Sequence, residues 1–279
     1  MKKIKVLALC AIVAGVVTSC QKDEVSNETA PVVNQQLSKA QINALLAGGI
    51  NPNNAFITSQ TTLDGVTKEG IMADDVFVAM SQLNEIALST NKDGTKQFRT
   101  NNLVTGANRT IDILGYTGSG NALTGTMQTG LRWAVDNYNR LGLRLNFRLT
   151  FGTNFQAADM VVYNNNRGGG GGSAGFPSGG RANKFIQINA GTSSFGNNVN
   201  EHVIGHEIGH SIGFRHQDWR SRQSCGQNSN EGTAGVGAIL INGTPSSDRA
   251  DSIMLACFGS NEDGEFTNTD ITALRALYQ

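Results

Sequence analysis

The clearest hydrophobic pattern in the chain is "LRLNFRLTF", where Leu143, Leu145, Phe147, Leu149 and Phe151 alternate with Arg144, Asn146, Arg148 and Thr150. Successive side chains of a strand point to opposite faces, so a period of two predicts a half-buried strand. Just ahead of it, Met127, Leu131, Ala134, Val135, Tyr138 and Leu141 recur at helical spacing and predict an amphipathic helix. "RTIDILGY", "ADMVVY" and "KFIQINA" predict three more strands. The run "NNNRGGGGGSAGFPSGG" between the last two reads as loop, because glycine weakens an element interior. "FTNTDITALRALY" predicts a C-terminal helix capped by Thr267 or Thr269, with Ile271, Leu274 and Leu277 along its buried side.

Upstream the signals are weaker. "SKAQINALLAGG" and "ADDVFVAMSQLNEIA" predict two short helices separated by turn-rich sequence. The organisation expected is a leader over 1–19, a flexible tether over 20–45, a propeptide or small accessory region over 46–105, and a main domain over 106–279. Strand, helix, several strands and helix again place that domain in a sheet-and-helix class, α/β or α+β.

Composition adds exclusions. Lysine plus arginine equal aspartate plus glutamate, 22 to 22, so no basic stripe points to nucleic acid. "MKKIK" followed by "VLALCAIVAGVV" reads as an export signal too short to span a membrane stably. Its end, "VTSC", resembles a bacterial lipobox, which would make Cys20 the lipidated first residue. "QKDE" is similar to the signal that sends lipoproteins of the Bacteroidetes group to the outer face of the outer membrane. The expected location is therefore exported, lipid-anchored in the outer membrane and facing outward. Cys225 and Cys257 then remain as an even pair in an oxidising compartment and are read as one disulfide rather than two buried thiols.

The chemistry concentrates in "EHVIGHEIGHSIGFRHQDW", which holds all four histidines of the chain. On a helix His206 and His210 stand four apart on one face and can aim at one ion. Zinc takes nitrogen ligands tetrahedrally, and one short helix supplies two corners easily but not three. Gly213 suits the left-handed end of a helix, after which His216 returns as a third imidazole. Three ligands leave one position for water, the mark of a catalytic rather than a structural zinc site. Glu207, beside His206, is placed as the base that takes the water's proton and passes it to the leaving amine. His202, one turn earlier, is left out of the ligand set and expected in solvent or behind a ligand. One catalytic zinc ion is expected, and nothing calls for a structural calcium.

"HEIGHSIGFRH" matches the HExxHxxGxxH signature of metzincin zinc peptidases, and "HEIGH" with "GFRHQDW" resembles the dual-action HEIGH metallopeptidases. The likeness runs from about Gln97 to the C-terminus and includes "WAVDNYNRLGLRLNFR" and "ADMVVY". It implies a metzincin-like catalytic domain: a twisted mixed sheet, an active-site helix, a Met-turn lower subdomain and a C-terminal helix. In "DSIMLACFG", Met254 is similar to the Met-turn residue beneath the metal. Where some metzincins carry a tyrosine two residues on, this chain has Ala256, so no phenol is expected at the metal. The resemblance further implies an edge strand that holds extended peptide, for which "GSAGFPSGG" entering "KFIQINA" is the best match. The function expected is hydrolysis of extracellular proteins, with a zinc-stabilised surface lipoprotein that binds peptide or glycan without turnover as the alternative. A zinc hydrolase of another amide or ester would use the same residues. No cysteine stands between Cys20 and Cys225, so any internal cap on the metal must be a carboxylate such as Asp74 or Asp75, or simple blockage.

Overall fold

The computed structural model describes residues 36–87, 98–100, 102–219, 221–227, 239–241, 244 and 251–279. The leader, Cys20, "QKDE" and most of the tether lie outside the described residues. No helix among those described is long and apolar enough to cross a membrane.

Helix α1 (Lys39–Ala47) opens on a capping box, Ser38 and Gln41 each satisfying the other's backbone N–H. Strands β1 (Phe56–Thr61), β2 (Thr67–Ala73) and β3 (Val76–Ala79) follow as an antiparallel sheet, then a 3-10 turn and helix α2 (Leu83–Ala87). The helix expected over "ADDVFVAMSQLNEIA" therefore forms only in its last third. Its first part is strand, because Ala73 pairs with Val76 across a two-residue turn and Val76, Phe77 and Val78 are residue types that favour a pleated surface. Asp74 takes positive φ in that turn, a conformation aspartate tolerates better than most residues. Leu45, Ile71, Val76, Val78 and Ile86 form this region's own apolar cluster, joined by Phe176 from far downstream.

The short strand β4 (Phe98–Arg99) begins the main body, pairing with β10 (Ile239–Leu240). Five strands make the principal sheet: β5 (Thr110–Tyr116), β6 (Asn146–Gly152), β7 (Met160–Asn164), β8 (Gly172–Ser173) and β9 (Phe185–Ile188), in the order β6-β5-β7-β9-β8. All neighbours are parallel except β8, which runs antiparallel to β9. The glycine-rich run is thus not loop throughout: Gly172 and Ser173 pair with Ile188 and Gln187 and make an edge. β6 forms the opposite edge, where Asp112 and Arg148, directly paired in register, join through two side-chain contacts of 2.5 and 2.7 Å.

Ile111, Ile113, Met160, Val162, Ile186 and Ile188 bury one face of the sheet under helices α3 (Gly125–Asn139) and α4 (Asn197–Ile212). Leu114, Val161 and Tyr163 face the other side. The two helices approach closely because Gly130 has no Cβ; one placed there would stand 2.7 Å from the backbone of Asn200 and Glu201. Helix α5 (Asn268–Tyr278) closes the chain, with Thr267 and Asp270 as its capping box and Ala273, Leu274 and Tyr278 as its most buried residues.

Candidate metal centre

Helix α4 is buried on every side from Val199 to Ile212, so the polar residues it carries inward need internal partners. It ends at Gly213, whose φ of 117° is left-handed. Gly213 N–H donates to the His210 carbonyl and Phe214 N–H to the Gly209 carbonyl, both at 2.9 Å. This paired ending turns the chain sharply and brings His216 back toward the helix.

His206, His210 and His216 point their Nε2 atoms at one spot, together with the carboxylate of Asp75, all four ligand atoms lying within 4.8 Å of one another. His206 Nδ1 lies 2.7 Å from the Ile253 carbonyl and His210 Nδ1 2.8 Å from the Phe214 carbonyl. A carbonyl can only accept, so both Nδ1 atoms carry hydrogen, which in a neutral imidazole leaves Nε2 as the lone pair that can bind a metal. His210 Nε2 and His216 Nε2 stand 3.1 Å apart, while Asp75 Oδ2 is 3.2 Å from His206 Nε2 and Asp75 Oδ1 is 3.0 Å from His216 Nε2. Asp75 Oδ1 and His206 Nε2 are buried without a hydrogen-bond partner. Acceptors converging on one another repel unless a cation lies among them. Tetrahedral zinc with ligands at about 2.05 Å sets neighbouring donors about 3.3 Å apart, close to the spacings found. The residues fit a divalent metal, held by imidazoles oriented through backbone carbonyls.

Glu207 is 1% exposed and its Oε2 has no hydrogen-bond partner. Burial, reinforced by the nearby Asp75 charge, pushes its carboxyl well above the ordinary range. It lies against edge strand β8, at Gly172, where a Cβ would come within 2.9 Å of Glu207 Oε1. Burial also opposes charge at Asp75, but the surrounding imidazoles, His216 foremost, hold its carboxyl well below the usual range. Burial lowers His210 to about 4.

A turn at Ile253 and Met254 supports the helix from below. Ser252 Oγ donates to Asp270 Oδ1 at 2.5 Å and Ile253 N–H donates to Asp270 Oδ2 at 3.2 Å, so the first turn of α5 fixes the carbonyl that orients His206. Met254 sits where the helix lacks a side chain: a Cβ on Gly209 would meet its sulfur at 2.5 Å. That contact accounts for the glycine inside "HEIGH". His202 is buried rather than solvated, its ring centroid 5.5 Å from that of Phe258, and burial lowers it to about 3. It does not belong to the four-residue cluster.

Two further carboxylates brace the centre, Asp218 and Asp74. Asp218 accepts from Ala256 N–H on one oxygen and from Ser224 N–H and Oγ on the other, tying the His216 loop to the turn after Met254. Cys225 and Cys257 form a disulfide that closes the same loop. Asp74 accepts from both terminal nitrogens of Arg222.

Two solved structures of myroilysin share 12% identity with the chain, each covering 63% of it, with TM-scores of 0.41 and 0.40 over 82% and 86% of their own length. No curated protein sequence matches. The family model described as dual-action HEIGH metallo-peptidase matches residues 71–278, beginning ahead of Gln97 and taking in the turn that carries Asp75. With that match spanning most of its length, the chain belongs to the dual-action HEIGH metallopeptidase family.

Proposed function

We propose that the protein is a zinc-dependent endopeptidase that cleaves extracellular proteins, with His206, His210 and His216 as metal ligands and Glu207 as general base. The observation that carries this reading is the convergence of three imidazole Nε2 atoms on one spot, with Glu207, the next residue after His206, buried and its Oε2 without a hydrogen-bond partner. A bound zinc ion would acidify a water molecule to a pKa near 7 and polarise the substrate carbonyl. Glu207 Oε2 accepts the proton released as the new C–O bond forms, and the same carboxyl returns it to the amine nitrogen as the C–N bond breaks. Met254 and Asp270 position the helix and His206, and Gly172 leaves the room Glu207 needs.

The leader and Cys20 support an outward-facing lipid anchor in the outer membrane, which would set protein or peptide in the surroundings as substrate. Cys20→Ser should then release the protein from membrane fractions, and retention there without lipid on the native N-terminus would refute the anchor.

A second reading is favoured by Asp75. Four protein ligands around one ion is the pattern of a structural zinc site, which suits a binding lipoprotein without turnover. Zinc analysis combined with casein digestion separates the two, run on intact chain and on chain trimmed by limited proteolysis. Cleavage that chelator abolishes and zinc restores supports the peptidase. Stoichiometric zinc with no cleavage by either form supports the binding module.

A further inference from the structure

We propose that the β2–β3 hairpin is an internal plug, its tip residue Asp75 filling the fourth position of the metal centre and keeping the intact chain latent. This rests on the peptidase reading above and names the regulation of its site.

Four separate contacts hold the hairpin in the cleft. At the tip, the Asp75 oxygens lie 3.0 to 3.5 Å from the Nε2 atoms of all three histidines. Asp75 keeps 19% of its side-chain surface, yet its Oδ1 is closed to solvent. Beside it, Asp74 clamps Arg222 through both carboxylate oxygens, anchoring the tip to the loop that follows His216. Along the hairpin, Phe77 N–H donates to the Ala174 carbonyl at 2.9 Å and Ala174 N–H donates to the Asp75 carbonyl at 3.2 Å. Val76 thereby bridges Ala174 in parallel, so β3 extends the β8 edge. Those are the main-chain groups an extended substrate would need there. Behind the hairpin, Phe176 of the same rim is buried in the cluster with Ile71, Val76 and Val78.

The plug therefore denies substrate three things at once: the open metal position, the edge-strand hydrogen bonds and the apolar rim. It uses a carboxylate, in a chain with no cysteine between Cys20 and Cys225. The main body does not need it for its own core, since the principal cluster draws on residues from Val104 onward and the hairpin's cluster is separate. Opening moves residues up to Ala87 away from a body that starts at β4, and it also breaks the bonds from Asn51 to the Trp219 carbonyl, from Gln60 to Ser173 and from Asn102 to Glu85.

The test uses the full chain as wild type, Asp75→Ala, Asp75→Asn and Asp74→Asn, each loaded with zinc. Three quantities are read: the rate of zinc transfer to a chromogenic chelator, the binding of acetohydroxamic acid, and casein cleavage. The Asp75 variants should retain zinc on three histidines, bind the hydroxamate at least about tenfold more tightly than wild type and lose zinc to chelator faster. Asp74→Asn, which loosens only the Arg222 clamp, should fall between. Should Asp75→Ala fail to fold, the isosteric Asp75→Asn is read in its place. Wild type binding the hydroxamate as tightly as the Asp75 variants would overturn the plug. So would a folded Asp75 variant that no longer holds zinc, which would make Asp75 a structural ligand. Tighter hydroxamate binding without casein cleavage by any chain leaves the plug standing and sinks the peptidase reading instead.

Discussion

At the scale of single residues, glycine placement explains as much of the centre as the ligands do. Gly172 and Gly209 each occupy a point where a Cβ would collide with a functional neighbour, Glu207 in one case and Met254 in the other. Gly172→Ala would also set its methyl 2.8 Å from the Gln187 carbonyl, which belongs to backbone and cannot yield cheaply. It should hold zinc normally while turnover falls by about tenfold or more through a displaced base, assuming a modest share of the general-base contribution is lost. Zinc analysis and cleavage rates on one preparation check this, and unchanged rates would show that Glu207 has room to spare. The meeting of His206 and His210 on one face was legible from sequence because helical spacing is local, and the turn that returns His216 needs only the helix end at Gly213. Asp75 was legible only as a carboxylate of the right kind upstream. Its position depends on a hairpin tip reaching a helix far along the chain, and no local pattern encodes that reach. Asp218 and Arg222 left no signal at all, since each acts through a tertiary contact.

Among the elements, α4 is the one under most tension between burial and charge. Glu201 in its second turn is 3% exposed, and burial, with the Glu265 charge, raises its carboxyl to about 7 despite a 2.7 Å hydrogen bond from Asn137. A carboxyl with a raised folded-state value binds its proton more tightly folded than unfolded. Its contribution is therefore fully present below pH 4.5 and is lost as pH rises to about 7. Thermal unfolding followed across that window should show a decline in the wild type that Glu201→Gln flattens; identical pH profiles would refute the assignment. Strands β5, β6, β7 and β9 and helix α3 followed from periodicity, whereas β1 and β2, which fall in sequence read as turn-rich, and β3 did not. In "ADDVFVAMSQLNEIA" the apolar residues suit either a strand or one helical face, and the choice was made by pairing with β2. β8 escaped for the opposite reason: two residues carry too little pattern to mark an edge.

For the whole molecule, the described segments that follow His216 and precede α5 are tied together by cross-links. The disulfide joins residues 32 apart, and on the loop-entropy model such a closure stabilises by about 3 to 4 kcal/mol. Reduction should lower the denaturation midpoint accordingly, and a midpoint unmoved by reductant would mean the loop is fixed by Asp218 and Ser224 alone. The edge strand, the helix and the turn at Met254 all bear on one small volume where three imidazoles meet Asp75, with Glu207 buried one residue on from His206. The most direct measurement compares Glu207→Gln with His206→Ala, His210→Ala and His216→Ala, on zinc content and peptide cleavage together, in whichever form of the chain, intact or trimmed, is most active. Each histidine variant should lose metal and activity at once. Glu207→Gln should keep its zinc and lose at least about 10²-fold in turnover. Zinc-replete Glu207→Gln cleaving at the native rate would contradict the account, for the site would then hold a metal without using the base beside it.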